Sequence, residues 1–405
     1  MIDLHAAVAD LRTWQEALYQ DLHRHPELSL QEHATAERIE TELRELGLTT
    51  ERIGGTGVVA VIENGDGPTV LERADIDGLP VTEASGLPYA SEEPGRMHAC
   101  GHDVHISTLL GAVRVLTAHR DAWHGTFIAL FQPAEETAQG ARAMVADGLV
   151  DRIPRPDVAL AQHVMPGAAG RIGTLAGPLL CQGDSLRVTI HGRGAHGSMP
   201  HSAQDPVVVA SAIVLRLQTI VARELRPGTF GVVTVGALNA GTKSNIIPAT
   251  AELLLNVRTY DPAVREHVLA AIRRIVDGEC AAAGIETPAD IELYDAFPLT
   301  SNDPEVTATV TGALTAALGE ESMEEAEPTT GSEDFSCIPD AFGTPYTSWV
   351  LGGFDPEAYD RAVERGTVAQ DIPANHALNY TPVMQPTLSA GTTALVAAAL
   401  AYMGS

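Results

Sequence analysis

Apolar residues recur at helical spacing over 3–22, where Leu4, Val8, Leu11, Leu18 and Leu22 tend to one face. His23-Arg24-His25-Pro26-Glu27 breaks that helix. Ser29-Leu30-Gln31-Glu32 has the form of a capping box and predicts the start of a second helix, stopped near Gly47. Short buried strands are predicted over 58–62 and 69–71. The second runs into Arg73-Ala74-Asp75-Ile76-Asp77, which puts carboxylates at a strand's carboxyl end, where open α/β sheets build their sites. The pattern continues with a helix over 104–118, a strand over 127–131 stopped by Gln132-Pro133, and a helix ending near Gly148. A strand over 158–161 then ends at His163.

The texture changes at Gly183. From there the pattern predicts a strand (186–191), a helix (205–224), two strands (230–238 and 249–257), a helix (262–283) and a strand (289–294). This β-α-β-β-α-β string is that of a ferredoxin-like module, the size of an inserted domain. Helix and strand alternation resumes with a helix near 303–318, a loop at 331–336, a strand at 346–350 and a last helix near 386–402. The expected fold is therefore α/β with two domains. Residues 1–183 and 296–405 form one domain, and 184–295 form the insert. The acidic run from Glu320 to Glu327 reads as a solvated loop.

Charge narrows the partners. The chain has 405 residues with 53 acidic side chains against 25 basic ones, a formal charge of −28, and Lys243 is its single lysine. Such a surface repels phosphate backbones and excludes nucleic acid as a partner. Cysteines 100, 181, 280 and 337 lack the paired spacing of a disulfide framework, which points to a reducing compartment, the cytoplasm. Cys181, Cys280 and Cys337 read as inert core or boundary residues. No signal-peptide core and no run of about 18 apolar residues is apparent, so no membrane association is expected. The longest apolar stretch, 388–403, reads as a packed terminal helix.

Chemistry concentrates in Met97-His98-Ala99-Cys100-Gly101-His102-Asp103-Val104-His105. Cys100 and His102 flank a glycine, so both side chains can reach one point. A thiolate and an imidazole meeting there suit Zn²⁺, or Mn²⁺, Co²⁺ or Ni²⁺. The alternative on this window alone is a buried cysteine beside solvent-facing histidines. Beyond it, Glu135 and Glu136 follow the strand over 127–131, and His163 ends the next, so three consecutive elements deliver ligand-type residues at their ends. Adjacent glutamates diverge, which lets Glu136 bind metal while Glu135 stays free to accept a proton. His98 and His105 read as supporting or structural residues.

These segments resemble, in order and over nearly the whole chain, the dinuclear metallopeptidases that include aminoacylases and glutamate carboxypeptidases. The likeness is strongest to the amidohydrolase branch of hippurate hydrolases, auxin-conjugate hydrolases and bacterial N-acyl-amino-acid deacylases. It rests on His23 to Glu27, Arg73 to Pro80, Met97 to His105, Gln132 to Glu136, His163-Val164, Gly194 to Ser198, Asn245 to Pro248, Gly331 to Asp334 and Asn375-His376. Gly78 stands where alanine is usual, and Asn375-His376-Ala377-Leu378-Asn379 is a loose version of the C-terminal motif. The resemblance implies a catalytic domain holding two divalent ions per subunit, zinc first with Mn, Co or Ni as alternatives, and an inserted lid that also dimerises. It implies Cys100 as the shared ligand, His102 and His163 completing one metal, Glu136 and His376 the other, and Glu135 as general base. Asp75 would support the metal site, His196 would reach the neighbouring subunit's site, and Asn245, Arg258 and Gly331-Ser332 would hold the substrate carboxylate. Arg258, ending a strand in an acidic chain, independently suits a carboxylate clamp.

The expected activity is metal-dependent cleavage of N-acyl-amino acids to an acid and an amino acid, by a homodimer or larger homo-oligomer. A dipeptidase or carboxypeptidase is the alternative within the class. From other classes come a metal-free cysteine hydrolase using Cys100 and a catalytically dead binding protein; an intact Glu135 and a full ligand set speak against the latter.

Overall fold

The computed structural model describes residues 2–404. The chain forms two compact units: one contains the chain up to Leu179, Ser301–Pro328 and the segment from Asp334 onward, the other Leu180–Thr300 with Thr329–Glu333.

Among the described residues, the first unit has an eight-stranded sheet in the order Glu51–Ile53, Gly57–Asn64, Gly125–Gln132, Thr69–Asp75, Val158–Ala168, Tyr346–Phe354, Ile172–Thr174, Met323–Glu325. The four strands from Gly125–Gln132 to Tyr346–Phe354 are parallel to one another. Thr69–Asp75 and Gly125–Gln132 are buried almost throughout, as parallel strands covered on both faces must be. One face packs on Leu4–Arg24, His102–Ala118, Pro304–Leu318 and Thr387–Met403. The other packs on Gly140–Ala146 and Cys337–Phe342. Parallel pairing also brings carboxyl ends to one edge. Asp75 lies opposite Gln132 and Arg73 opposite Ala161, so His163, two residues on, is level with Asp75.

The second unit contains the β-α-β-β-α-β string: Gln182–His191, Pro206–Thr219, Val232–Ala240, Thr250–Thr259, Pro262–Ala282 and Asp290–Phe297. The sheet order is Val232–Ala240, Thr250–Thr259, Gln182–His191, Asp290–Phe297, with every neighbour antiparallel, which is ferredoxin-like. Asp205 and Asp261 cap the two helices, each with proline in the first turn. Burial alternates along Thr250–Thr259, so one sheet face carries the core with Val209, Ile213, Val268 and Ile272 from the helices.

Three expectations need correction. The capping box does not form: the second helix is His33–Glu45, its N-cap Glu32 makes no capping bond, and Ser29 Oγ donates to Asp77 instead. The strand expected over 158–161 extends to Ala168, leaving His163 in mid-strand. Within the acidic run, Met323–Glu325 is a strand paired with Ile172–Thr174, because Met323 packs on the core. Pro206–Glu224, a helix closing in a π turn, is 19 residues long and passes for a membrane span by length and mean hydropathy only, its apolar run being broken by Ser211, Arg216, Gln218 and Arg223. Its buried face (Val209, Ala210, Ile213, Leu217, Ile220) belongs to the second unit's core.

Candidate active site

Gly101 sits at φ 83°, and this left-handed turn starts the helix His102–Ala118 directly behind Cys100. A Cβ at Gly101 would collide with Val164 Cγ1, so the backbone can approach the Val158–Ala168 strand only without a side chain. His102 consequently points into the edge formed by the strand ends. Its Nε2 lies 3.6 Å from Asp75 Oδ2 and 3.9 Å from Glu136 Oε1, and its Nδ1 lies 3.2 Å from Asp77 Oδ1. Ligand atoms of Cys100, His102 and Glu136 all fall within 4.8 Å of one another.

His163 joins them, with Nε2 3.6 Å from Cys100 Sγ. Its Nδ1 is 2.9 Å from the Val164 carbonyl, which can only accept, so that nitrogen carries the proton and Nε2 keeps a lone pair toward the sulfur. His376 Nε2 lies 3.3 Å from Glu136 Oε2. His376 is held at φ 71° by its N–H donating to Ala99 O at 2.7 Å, beside Cys100. The five residues expected as ligands are thus brought together. Glu135, expected as the base, is buried beside Glu136.

Asp77 and Arg73 have no role in the sequence-based expectation, whereas Asp75 and His105 are expected as supporting residues. Asp77 approaches His102 Nδ1 and also accepts the backbone N–H groups of Glu135 and Glu136, both at 3.2 Å. Asp75 accepts from Arg73 Nη1 at 2.7 Å and pairs with His105 Nδ1. His105 Nε2 accepts the Val164 N–H at 2.8 Å, so Nδ1 is the protonated nitrogen and donates to Asp75. The wholly buried Arg73 guanidinium also donates to Gln132 Oε1 and reaches Asp334. The repeated carboxylate in Asp75-Ile76-Asp77 was the available signal: a side chain at the strand end and one just past it face different partners.

The electrostatics favour added positive charge. Burial would depress His102, but Asp75, Asp77 and Cys100 raise it well above the ordinary histidine value. Cys100 and Glu136 raise His376 to about 10. Burial, with His105 and His102 nearby, lowers His163 to about 3 and keeps it neutral. Burial raises the Asp75 carboxyl, but Arg73, His102 and His105 outweigh it and hold it well below the carboxylate range. His98 is likewise kept neutral by burial, lowered to about 4.

In the second unit the expected residues form two groups. His196 pairs with Ile246 across a two-stranded ribbon, and Gly197 N–H donates to Asn245 O, so His196 and Asn245 are neighbours. His196 is exposed, with Nδ1 2.7 Å from Ser198 Oγ. Separately, Arg258 donates to Ser332 Oγ through Nη1 and to Asn256 Oδ1 through Nε. The Gly331-Ser332 turn is fastened by Cys181, whose N–H donates to Gly331 O and whose thiol donates to Thr330 O at 3.0 Å. Cys181, expected to be inert, therefore shapes this turn.

The residues present fit a divalent cation pair. His102 Nδ1 faces Asp77, whereas its buried Nε2 and Oε1 of Glu136 have no hydrogen-bond partner, an arrangement that is costly unless something else binds there. The thiolate, imidazole and carboxylate donors form the set that borderline divalent ions take.

Known proteins agree. Residues 71–367 match the description Peptidase family M20/M25/M40. An N-acetyl-L-cysteine deacetylase of Bacillus subtilis (strain 168) is 38% identical over 318 residues, 78% of this chain and 75% of that protein. The hippurate hydrolase of Campylobacter jejuni is 36% identical over 332 residues, 81% of this chain and 85% of its own. Among solved structures, a dinuclear metal-binding peptidase of the M20 family from Bacillus subtilis superposes with a TM-score of 0.77 at 29% identity, covering 97% of this chain and 98% of the other. The chain belongs to Peptidase family M20/M25/M40 and is a metal-dependent amidohydrolase of that family.

Proposed function

We propose that this enzyme cleaves the amide bond of N-acyl-L-amino acids, releasing a carboxylic acid and a free amino acid. The observation that carries the reading is the convergence of Cys100, His102, Glu136, His163 and His376 beside Glu135. The deacetylase and hippurate hydrolase relatives support the substrate class.

In this reading Cys100, His102, His163, Glu136 and His376 would hold two divalent ions, with Cys100 common to both, His102 and His163 serving one and Glu136 and His376 the other, and zinc is the first candidate. When bound, such a pair supplies an acidified water and polarises the scissile carbonyl. Glu135 would accept a proton from the attacking water and hand it to the departing nitrogen, so that the amine leaves neutral. Asp77 orients the His102 ring through Nδ1. Asp75 supports the same ring from the other side. Arg258, Asn245 and the Gly331-Ser332 turn hold the substrate carboxylate, and His196 stabilises the developing oxyanion in the neighbouring subunit's site.

A homodimer fits this scheme. The Val232–Ala240 strand lies at the edge of its sheet, and the adjoining helix exposes Val208 (65%) and Leu215 (74%). An unpaired edge beside exposed apolar side chains suits pairing with a second copy. The four free cysteines suit a cytoplasmic setting.

The test is a hydrolysis panel of N-acetyl, N-benzoyl and long-chain acyl amino acids after chelation and after addition of Zn²⁺, Mn²⁺, Co²⁺ or Ni²⁺. Turnover that vanishes on chelation and returns with one metal is expected. Undiminished turnover in fully metal-free enzyme would refute the reading.

A further inference from the structure

Ala134 precedes the Glu135-Glu136 pair at φ 47°, a left-handed conformation that a non-glycine residue keeps only when its surroundings impose it. Three consecutive backbone N–H groups here, those of Ala134, Glu135 and Glu136, donate to carboxylates. Asp77 takes the latter two. The first is taken by Glu32 Oε1 at 2.8 Å.

Glu32 is 102 residues away in sequence and fully buried. The same Oε1 accepts the Leu30 N–H at 3.0 Å, and Oε2 accepts from Thr56 Oγ1 at 2.7 Å, so the carboxylate is fixed at both oxygens. Ser29, three residues earlier, donates to Asp77 Oδ2 at 2.6 Å. The pair that looks like a capping box instead runs from the entry of the His33–Glu45 helix into the turn bearing the two glutamates. No helix-capping purpose explains the burial of a carboxylate at that position.

We infer that Glu32 is a positioning residue for catalysis: by capturing the Ala134 N–H it holds the left-handed turn that aims Glu135 and Glu136. Ser29 secures the same turn indirectly, through Asp77. The Glu32 carboxylate contacts Leu30, Thr56 and Ala134, so its effect is read through the placement of Glu135.

The inference rests on the roles proposed above for Glu135 and Glu136, and four variants separate the two. Glu32→Ala removes the acceptor, whereas Glu32→Gln keeps an oxygen for Ala134 and can exchange the Thr56 bond for one donated by its own amide. With metal content and folding confirmed, Glu32→Ala is expected to lose kcat by about tenfold or more, since sub-ångström misplacement of a catalytic group is that costly, while KM changes little. Glu32→Gln is expected to recover most of the loss. Wild-type kcat per metallated Glu32→Ala molecule would overturn the inference, as would equal losses in the Ala and Gln variants. If Glu32→Ala does not fold, Glu32→Asp decides the point: its shorter side chain cannot span both Thr56 and Ala134, so the same fall in kcat is expected and normal turnover overturns it. Glu135→Gln, run in parallel, isolates the underlying assignment. An active Glu135→Gln overturns that assignment, whereas an inactive Glu135→Gln with a fully active Glu32→Ala overturns the clamp alone.

Discussion

His23 Nδ1 lies 2.6 Å from Asp103 Oδ2 in the fully buried space between the first helix and the start of the helix that carries His102. Its other nitrogen is 3.4 Å from Glu83, and Asp103 Oδ1 accepts the Val104 N–H. Burial would lower His23, but Asp103 and Glu83 raise it from 6.5 to about 9. A histidine raised on folding contributes stability that is complete below its unfolded value and lost as pH rises through its folded value. The window here runs from about 6.5 to about 9, with an amplitude on the order of 3 kcal/mol. Urea midpoints of the wild type should therefore fall across that window relative to His23→Gln, which has no proton to lose. Parallel profiles for the two proteins would contradict a charged His23.

Glu72 presents the opposite case. It is fully buried in the Thr69–Asp75 strand, neither carboxylate oxygen has a hydrogen-bond partner, and burial raises it well above the ordinary value. The folded state then binds a proton that the unfolded state has released, so its contribution grows more unfavourable as pH rises above 4.5. Replacing the group by a hydrocarbon of similar size removes an uncompensated desolvation cost of roughly 1–3 kcal/mol. Glu72→Leu should raise the denaturation midpoint at pH 8, and by less at pH 5. A destabilised Glu72→Leu would show that the carboxyl has a stabilising partner.

The subunit arrangement makes a prediction of its own. If His196 serves the neighbouring site, Glu135→Gln disables a site in its own subunit and His196→Ala disables the one next door. In a mixed dimer one site collects both defects and the other neither. Unfolding and refolding an equal mixture of the two inactive proteins should then restore roughly a quarter of wild-type activity, because about half the dimers are mixed and each has one intact site. No recovery in dimers confirmed by size-exclusion chromatography would remove His196 from that role.

Local chemistry was readable from the chain where the partners are near in sequence. Cys100 and His102 straddle one glycine, and Glu135 and Glu136 are adjacent, so spacing raised a shared site as one reading, with a buried cysteine beside solvent-facing histidines left open until the later elements were read. The ferredoxin-like string was legible because the texture changes at Gly183, next to the observed start of the Gln182–His191 strand. What stayed hidden depends on contacts distant in sequence. Ser29 and Glu32 match a capping box residue for residue, and only the arrival of Asp77 and Ala134 redirects them. Cys181 looked inert because the Gly331-Ser332 turn it fastens is about 150 residues away. Asp77 and Asp75 are indistinguishable as letters two apart; the backbone past the strand end gives Asp77 the His102 ring and the two glutamate amides.

The central claim, metal-dependent hydrolysis with Glu135 as base, is tested most directly by kcat of Glu135→Gln on an N-acyl-amino acid that the wild type cleaves, at saturating metal and with metal content measured on the same sample. Glutamine keeps the shape of the side chain and cannot accept the water's proton. The account predicts two metal equivalents per subunit, as in the wild type, and a fall in kcat of at least about 10²-fold, the scale of general acid–base catalysis. Near-normal turnover in fully metallated Glu135→Gln would contradict it.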